Sequence, residues 1–199
     1  MYASALPLVA GDNRPRGYIE ARIGYAASVD CFYGYCPRVP LAIAAGTEVR
    51  MSPGIALRSE LEFSWAESRG NYGATSINSP SGGWQFRSLE STRTARTYMS
   101  NFYIDFFNNF WASPYLSVGA GIMDFQMNSF NFPDGNFGAE AIYSEAAERA
   151  FAYSGGIGAT FDTRFESLKF TLGARHTMTR FAGANFEMTQ ILGGLRLVF

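Results

Sequence analysis

Charge is scarce in this chain. Asp, Glu, Lys and Arg make up 17% of its 199 residues, against about a quarter in an ordinary soluble domain. The charges nearly cancel, with 16 basic and 17 acidic residues, so the basic excess or stripe of a nucleic-acid binder is missing. Lys169 is the only lysine, His176 the only histidine, and Cys31 and Cys36 the only cysteines. A closed zinc site needs four ligands, and two Cys with one His nearly exclude one. No run of eighteen apolar residues occurs, which excludes a transmembrane helix. What is abundant is equally telling. With 18 Phe, 11 Tyr and 3 Trp the chain is far too apolar to stay unfolded. Its 21 glycines argue against a helical protein, at about 1 kcal/mol for each one inside a helix. Composition alone points to an all-β protein.

Residues 1–16 are set apart as an N-terminal segment, and 17–199 as one domain. Met1 to Ala10 is apolar and short and lacks a basic start, while Ala3-Ser4-Ala5 has the small-x-small form of a cleavage site. Two readings stay open: a signal-peptide remnant, or a mature N-terminus behind a start Met. Cys31 and Cys36 are spaced C-x-x-x-x-C, not the redox-active C-x-x-C. A disulfide closing a loop tip in an oxidising compartment is the expected state, with two free thiols as the alternative.

The main signal is period-two alternation, repeated eight times. In Gly17 to Ala27, Ile19, Ala21, Ile23 and Tyr25 face one way, and Tyr18, Glu20 and Arg22 the other. Leu41 to Ser52 sets Leu41, Ile43, Val49 and Met51 against Glu48 and Arg50, and Ile55 to Ala66 sets Leu57, Leu61, Phe63 and Trp65 against Arg58, Glu60 and Glu62. The fourth segment opposes Tyr98, Phe102, Ile104 and Phe106 to Met99, Asn101, Tyr103 and Asp105. The fifth and sixth place Leu116, Val118, Ile122, Phe151, Tyr153 and Ile157 against small and polar residues. The seventh opposes Leu168, Phe170, Leu172 and Ala174 to Lys169 and Arg175, and the last opposes Ile191, Leu195, Leu197 and Phe199 to Gln190 and Arg196.

In this register the apolar face has no Asp, Glu, Lys or Arg. An Arg or Lys facing lipid at the bilayer midplane costs about 2–4 kcal/mol, which is a reason to avoid it. The connections alternate in length. Those at Ser52-Pro53-Gly54, Phe107 to Ser113 and Asp162 to Glu166 are short; Ser28 to Pro40, Glu67 to Thr97 and Asp124 to Ala150 are long and polar, with a smaller one at Thr179 to Glu187. A membrane barrel with short periplasmic turns and one elaborated outer rim has that rhythm. Tyr25, Trp65, Tyr98, Phe106, Trp111, Phe161 and Phe199 lie near segment ends, where a membrane interface would place rings.

Several stretches resemble the small outer-membrane β-barrel family of Gram-negative bacteria, which includes OmpA-like, opacity and surface-antigen barrels. They are Ser100 to Phe107 followed by Ser113 to Ile122, then Phe151 to Ala159, Leu172-Gly-Ala-Arg175, and the terminal Leu192 to Phe199. The resemblance runs from Gly17 to Phe199. It implies an eight-stranded antiparallel up-and-down transmembrane β-barrel resident in the bacterial outer membrane, among its lipids and lipopolysaccharide. It also implies that the last strand, with Leu195, Leu197 and Phe199, is read by the barrel assembly machinery, and that there is often no known activity.

Eight strands leave a lumen just wide enough for side chains. Charges there are expensive unless paired. A lumen network is therefore expected from Glu20, Arg22, Glu48, Arg50, Arg58, Glu60, Glu62, Asn101, Tyr103, Asp105, Lys169, Arg175 and Arg196, closing the barrel. A structural or surface-interacting, adhesin-like role follows, with a narrow porin-like channel or a soluble lipocalin-like barrel as alternatives. Asn71 to Trp84 and Phe125 to Phe137 carry aromatics among polar residues, fit either to meet a host or surface partner or to fold over the barrel mouth. Asp134-Gly-Asn136 lacks the spaced carboxylates of a calcium loop, and no metal or cofactor is expected. Lipid A deacylases and acyltransferases among small barrels use a His with Ser or an acid near the outer rim. His176 falls on the outward parity there, but Thr177-Met-Thr179 does not continue it as His-x-Ser-Asn, so the expectation is no enzyme.

Overall fold

The computed structural model of the protein describes residues 14–28, 39–52, 54–72, 77–78, 84–85, 89–107, 111–131, 142–181 and 184–199. They form ten strands: β1 (Arg16–Ser28), β2 (Leu41–Ser52), β3 (Ile55–Tyr72), β4 (Ile77–Asn78), β5 (Trp84–Gln85), β6 (Leu89–Phe106), β7 (Ala112–Asn131), β8 (Ile142–Asp162), β9 (Leu168–Phe181) and β10 (Ala184–Val198). Eight of them close an antiparallel barrel in the order β1-β10-β9-β8-β7-β6-β3-β2, while β4 and β5 pair only with each other. The barrel shuts where β1 meets β10, from Tyr18 opposite Val198 to Ser28 opposite Met188. Every neighbouring pair is antiparallel, so the turns alternate between two rims.

Because successive side chains leave a strand on opposite faces, alternation in sequence becomes inside and outside in the barrel. Leu61 is 71% exposed, whereas Glu60 and Glu62 beside it are each 3% exposed. Ile19, Ile43, Val118, Ile157 and Leu195 are likewise exposed, and Arg22, Arg58, Asp105 and Arg196 are buried. A water-soluble protein arranges these classes the other way round. A lipocalin-like barrel would need an apolar interior, and the interior here is ionic along much of its length. The exterior is suited to acyl chains. Rings gather toward its two ends: Trp111 packs on Phe161 at 5.2 Å and Phe161 on Phe170 at 5.8 Å near the short turns, and Phe63 packs on Tyr98 at 5.2 Å nearer the long connections.

The strands outrun the alternation that predicts them. β3 and β6 stay paired out to Tyr72 and Leu89, inside the connection expected from Glu67 to Thr97. β7 and β8 stay paired to Asn131 and Ile142, well into the one expected from Asp124 to Ala150. β9 and β10 continue to Phe181 and Ala184. Beyond the bilayer both faces of a strand can be polar, so the hydrophobic period fades although backbone pairing goes on. Cys31, Cys36 and the first thirteen residues lie outside the described residues.

Replacing an outward residue near mid-height tests the orientation. Leu61→Arg is expected to lower folding stability by about 2–4 kcal/mol in urea titrations of the lipid-embedded barrel. Ser59→Thr, also outward, should change little.

Candidate functional site

The lumen holds most of the buried chemistry. Toward the short-turn rim and mid-height, four carboxylates (Glu20, Glu60, Glu62, Asp105) and four guanidinium groups (Arg22, Arg58, Arg175, Arg196) are buried together. Arg22 is the hub. Its Nε donates to Glu20 Oε1 at 2.8 Å, its Nη1 and Nη2 donate to Glu60 at 2.7 and 2.8 Å, and Nη1 also reaches Glu62. Arg175 crosses from β9 with a two-pronged contact to Glu62, one arm being Nη2 to Oε2 at 2.8 Å. Arg196 on β10 donates to the second oxygen of Glu20 at 2.8 Å. Arg58 grips Asp105 through Nε and Nη2, at 2.5 and 2.9 Å.

Neutral donors add to the contacts on Glu60 and Glu20. Tyr18, Tyr103 and Asn101 donate to Glu60, the first at 2.9 Å and the last at 3.1 Å. Thr171 donates to Glu20 at 2.6 Å. The Arg58 guanidinium carbon also stands 4.1 Å from the Tyr103 ring centre and 5.1 Å from that of Tyr115, within cation–π range. Room for these long side chains comes from glycine. A Cβ on Gly158 or Gly173 would lie 2.4 or 2.2 Å from Tyr115 atoms, and one on Gly46 would lie 2.8 Å from the Tyr18 ring.

The residues predicted for the lumen divide by position. Glu20, Arg22, Arg58, Glu60, Glu62, Asn101, Tyr103, Asp105, Arg175 and Arg196 meet in the core just described. Glu48 and Lys169 stand closer to the short-turn rim, 3.9 Å apart, with Asp162 3.7 Å from the same ammonium. Arg50 sits exposed near that rim, with its guanidinium 4.8 Å from the centre of the Phe107 ring. Tyr18, Tyr115 and Thr171 belong to the network although the sequence reading did not single them out. Their inward parity was the available signal.

A second lumen feature was missed altogether. Above the charged layer, Ala26, Met99, Met123, Ala152 and Met188 form a buried apolar cluster, with Phe186 packed against it. Phe125 meets Phe186 there at 6.2 Å, so this member of the long connection turns toward the barrel mouth. Unbranched, pliable methionine suits such an irregular gap. Among the described residues, no group of three His, Cys, Asp or Glu could hold a metal. The lumen is thus an ionic layer capped by an apolar one, and each carboxylate of the ionic layer has a guanidinium partner.

Breaking one partner of this set should cost more than removing a pair. Glu62→Ala leaves Arg175 and part of Arg22 uncompensated, and is expected to destabilise the folded barrel by about 3–5 kcal/mol. Adding Arg175→Met should recover part of that loss. Denaturant titration of the single and double variants in vesicles measures both.

No family model matches the sequence, and no curated protein is significantly similar to it. Solved structures do match. A major outer membrane protein from Thermus thermophilus is 12% identical, with 94% of this chain and 100% of that one covered and a TM-score of 0.57. The outer membrane protease OmpT from Escherichia coli is 9% identical, with 93% of both chains covered and a TM-score of 0.54. Neisserial surface protein A is 13% identical, with 93% and 97% covered and a TM-score of 0.51. Identities this low speak to architecture alone. Together with the inverted faces, that architecture makes the chain a transmembrane β-barrel of the bacterial outer-membrane type.

Proposed function

We propose that this protein resides in the bacterial outer membrane as a closed barrel, and acts through its structure and its surfaces rather than by passing solutes. One observation carries the reading: four buried carboxylates are matched by four buried guanidinium groups across a narrow lumen, with a methionine-rich layer above them. An eight-stranded barrel has little interior space beyond its side chains. Moving an ion through this one would mean separating charge-assisted bonds in a site with little water, which is costly. The lumen therefore serves as a core.

The contact surfaces are then the exterior and the long-connection rim. The exterior meets membrane lipids and, on its outer leaflet, lipopolysaccharide. The outward column Leu195, Leu197 and Phe199 is 45–74% exposed beside the closing β1–β10 seam. Its position supports a role as the signal read by the barrel assembly machinery. At the opposite rim β3 with β6 and β7 with β8 stay paired beyond the alternating stretch, which supports a surface partner meeting the barrel at that end.

Planar-bilayer recording tests the closed lumen. The wild-type protein is expected to give no stable conductance steps, and the double variant Arg22→Ala with Arg175→Ala should give small ones. Large, stable steps from the wild-type protein would favour the porin-like channel.

A further inference from the structure

The apolar layer of the lumen brings together three sulfur atoms as well as bulk. Met99 on β6, Met123 on β7 and Met188 on β10 are all buried and belong to one contact cluster. Three of the chain's seven methionines thus meet here, each from a different strand. The sulfur of Met99 leans across to β7, where a Cβ on Gly121 would stand 2.9 Å from it. Gly121 is two residues before Met123 and shares its inward face, so these two thioethers occupy one column of the wall. The other buried members of the cluster are Ala26 and Ala152. The sulfurs are therefore the only heteroatoms among its side chains.

Thioether sulfur is a soft, uncharged donor. It suits Cu(I), whereas magnesium, calcium and manganese take oxygen. Three sulfurs about 2.3 Å from one metal ion stand about 4 Å from each other, which is ordinary contact distance between packed side chains. Such a site needs no separate cavity, and the rotatable bonds of methionine supply the adjustment. A cation in so dry a layer is costly unless its shell is complete. Phe186, packed against the cluster, and Phe125, 6.2 Å from it, bring rings of the kind that stabilise a desolvated cation. Competing oxygen is already engaged. Thr97, opposite Met123, has its hydroxyl bonded to that of Ser64. In the ionic layer below, Glu20, Glu60 and Glu62 are held by Arg22, Arg175 and Arg196. A cation entering at the long-connection mouth therefore meets the sulfurs first and finds no open carboxylate beyond them.

We propose that Met99, Met123 and Met188 form a three-sulfur site for a soft monovalent cation, Cu(I), at the outer end of the lumen. The ion is captured at the mouth and held there, above the closed ionic layer. Histidine, cysteine and carboxylate ligands must lose a proton before they bind a metal. A thioether has none to lose, so binding at this site is indifferent to pH. Among the described residues, those titratable donors are not grouped for a metal, whereas the thioethers are.

The probe is Cu(I), kept reduced with ascorbate under argon and offered to the refolded full-length barrel in detergent micelles. Bicinchoninate competes for the ion and reports by absorbance. Every form carries Cys31→Ser and Cys36→Ser, which removes competing thiols. This barrel is expected to hold one Cu(I). Met99→Leu, Met123→Leu and Met188→Leu should each weaken binding at least about tenfold, and the triple variant should hold none. Leucine conserves the volume of methionine, so packing survives while the sulfur is lost, and heat-dependent gel migration shows that each variant has folded. For any variant that does not fold, X-ray absorption of the Cu(I)-loaded barrel takes its place and should show three sulfur neighbours. Cu(I) retained on dialysis should be the same at about pH 5.5 and about pH 7.5, on either side of the histidine range. No Cu(I) on the cysteine-free barrel, undiminished binding by the folded triple variant, nitrogen or oxygen neighbours in place of sulfur, or loss of the ion at the lower pH would each overturn the proposal. None of these outcomes bears on whether the lumen conducts.

Discussion

A strand placed in lipid has no water to satisfy its peptide groups, so every backbone donor and acceptor must find a partner in the protein. Closing β1 onto β10 meets that demand, and the other features descend from it. Once the sheet is a cylinder, each strand has one face toward lipid and one toward the axis. The first must be apolar along its bilayer stretch. The second is set free to be polar, because it no longer has to drive collapse by burying grease. The 17% charge content is low because roughly half of each spanning strand is denied to charge.

The narrowness of the cylinder then dictates how its interior is filled. Guanidinium and carboxylate groups brought out of water are unfavourable singly and tolerable in matched, multiply bonded sets. Arginine dominates over lysine here for a geometric reason, since its planar fork engages two carboxylates, or both oxygens of one, at the same time. Arg22 binds three carboxylates in this way, and Arg58 and Arg175 each take one from two sides. Glycines on the neighbouring strands provide the volume for the tyrosines that complete the network. The apolar methionine layer above separates this ionic core from the loop-side mouth.

The same inversion sharpens the meaning of polar residues on the outside. Thr47 and Ser59 face lipid and satisfy each other at 3.2 Å, so their polarity is spent locally. His176 and Thr189 do the same across β9 and β10, at 2.9 Å.

Alternation in the chain was enough to determine eight spanning strands and the face each side chain takes; Glu60, Leu61 and Glu62 show both in consecutive residues. That information is local, because a period of two is visible within a single strand. It could not show where strands end beyond the bilayer, since at Leu89 or Asn131 neither face is required to be apolar. Nor could it show which charges meet. Arg22 and Glu62 are forty residues apart, and Arg50 and Arg175 share inward parity yet lie at different heights. Barrel closure, strand tilt and register decide those distances. They likewise decide that His176, Glu187 and Thr189, which have no shared motif, occupy one patch of the wall.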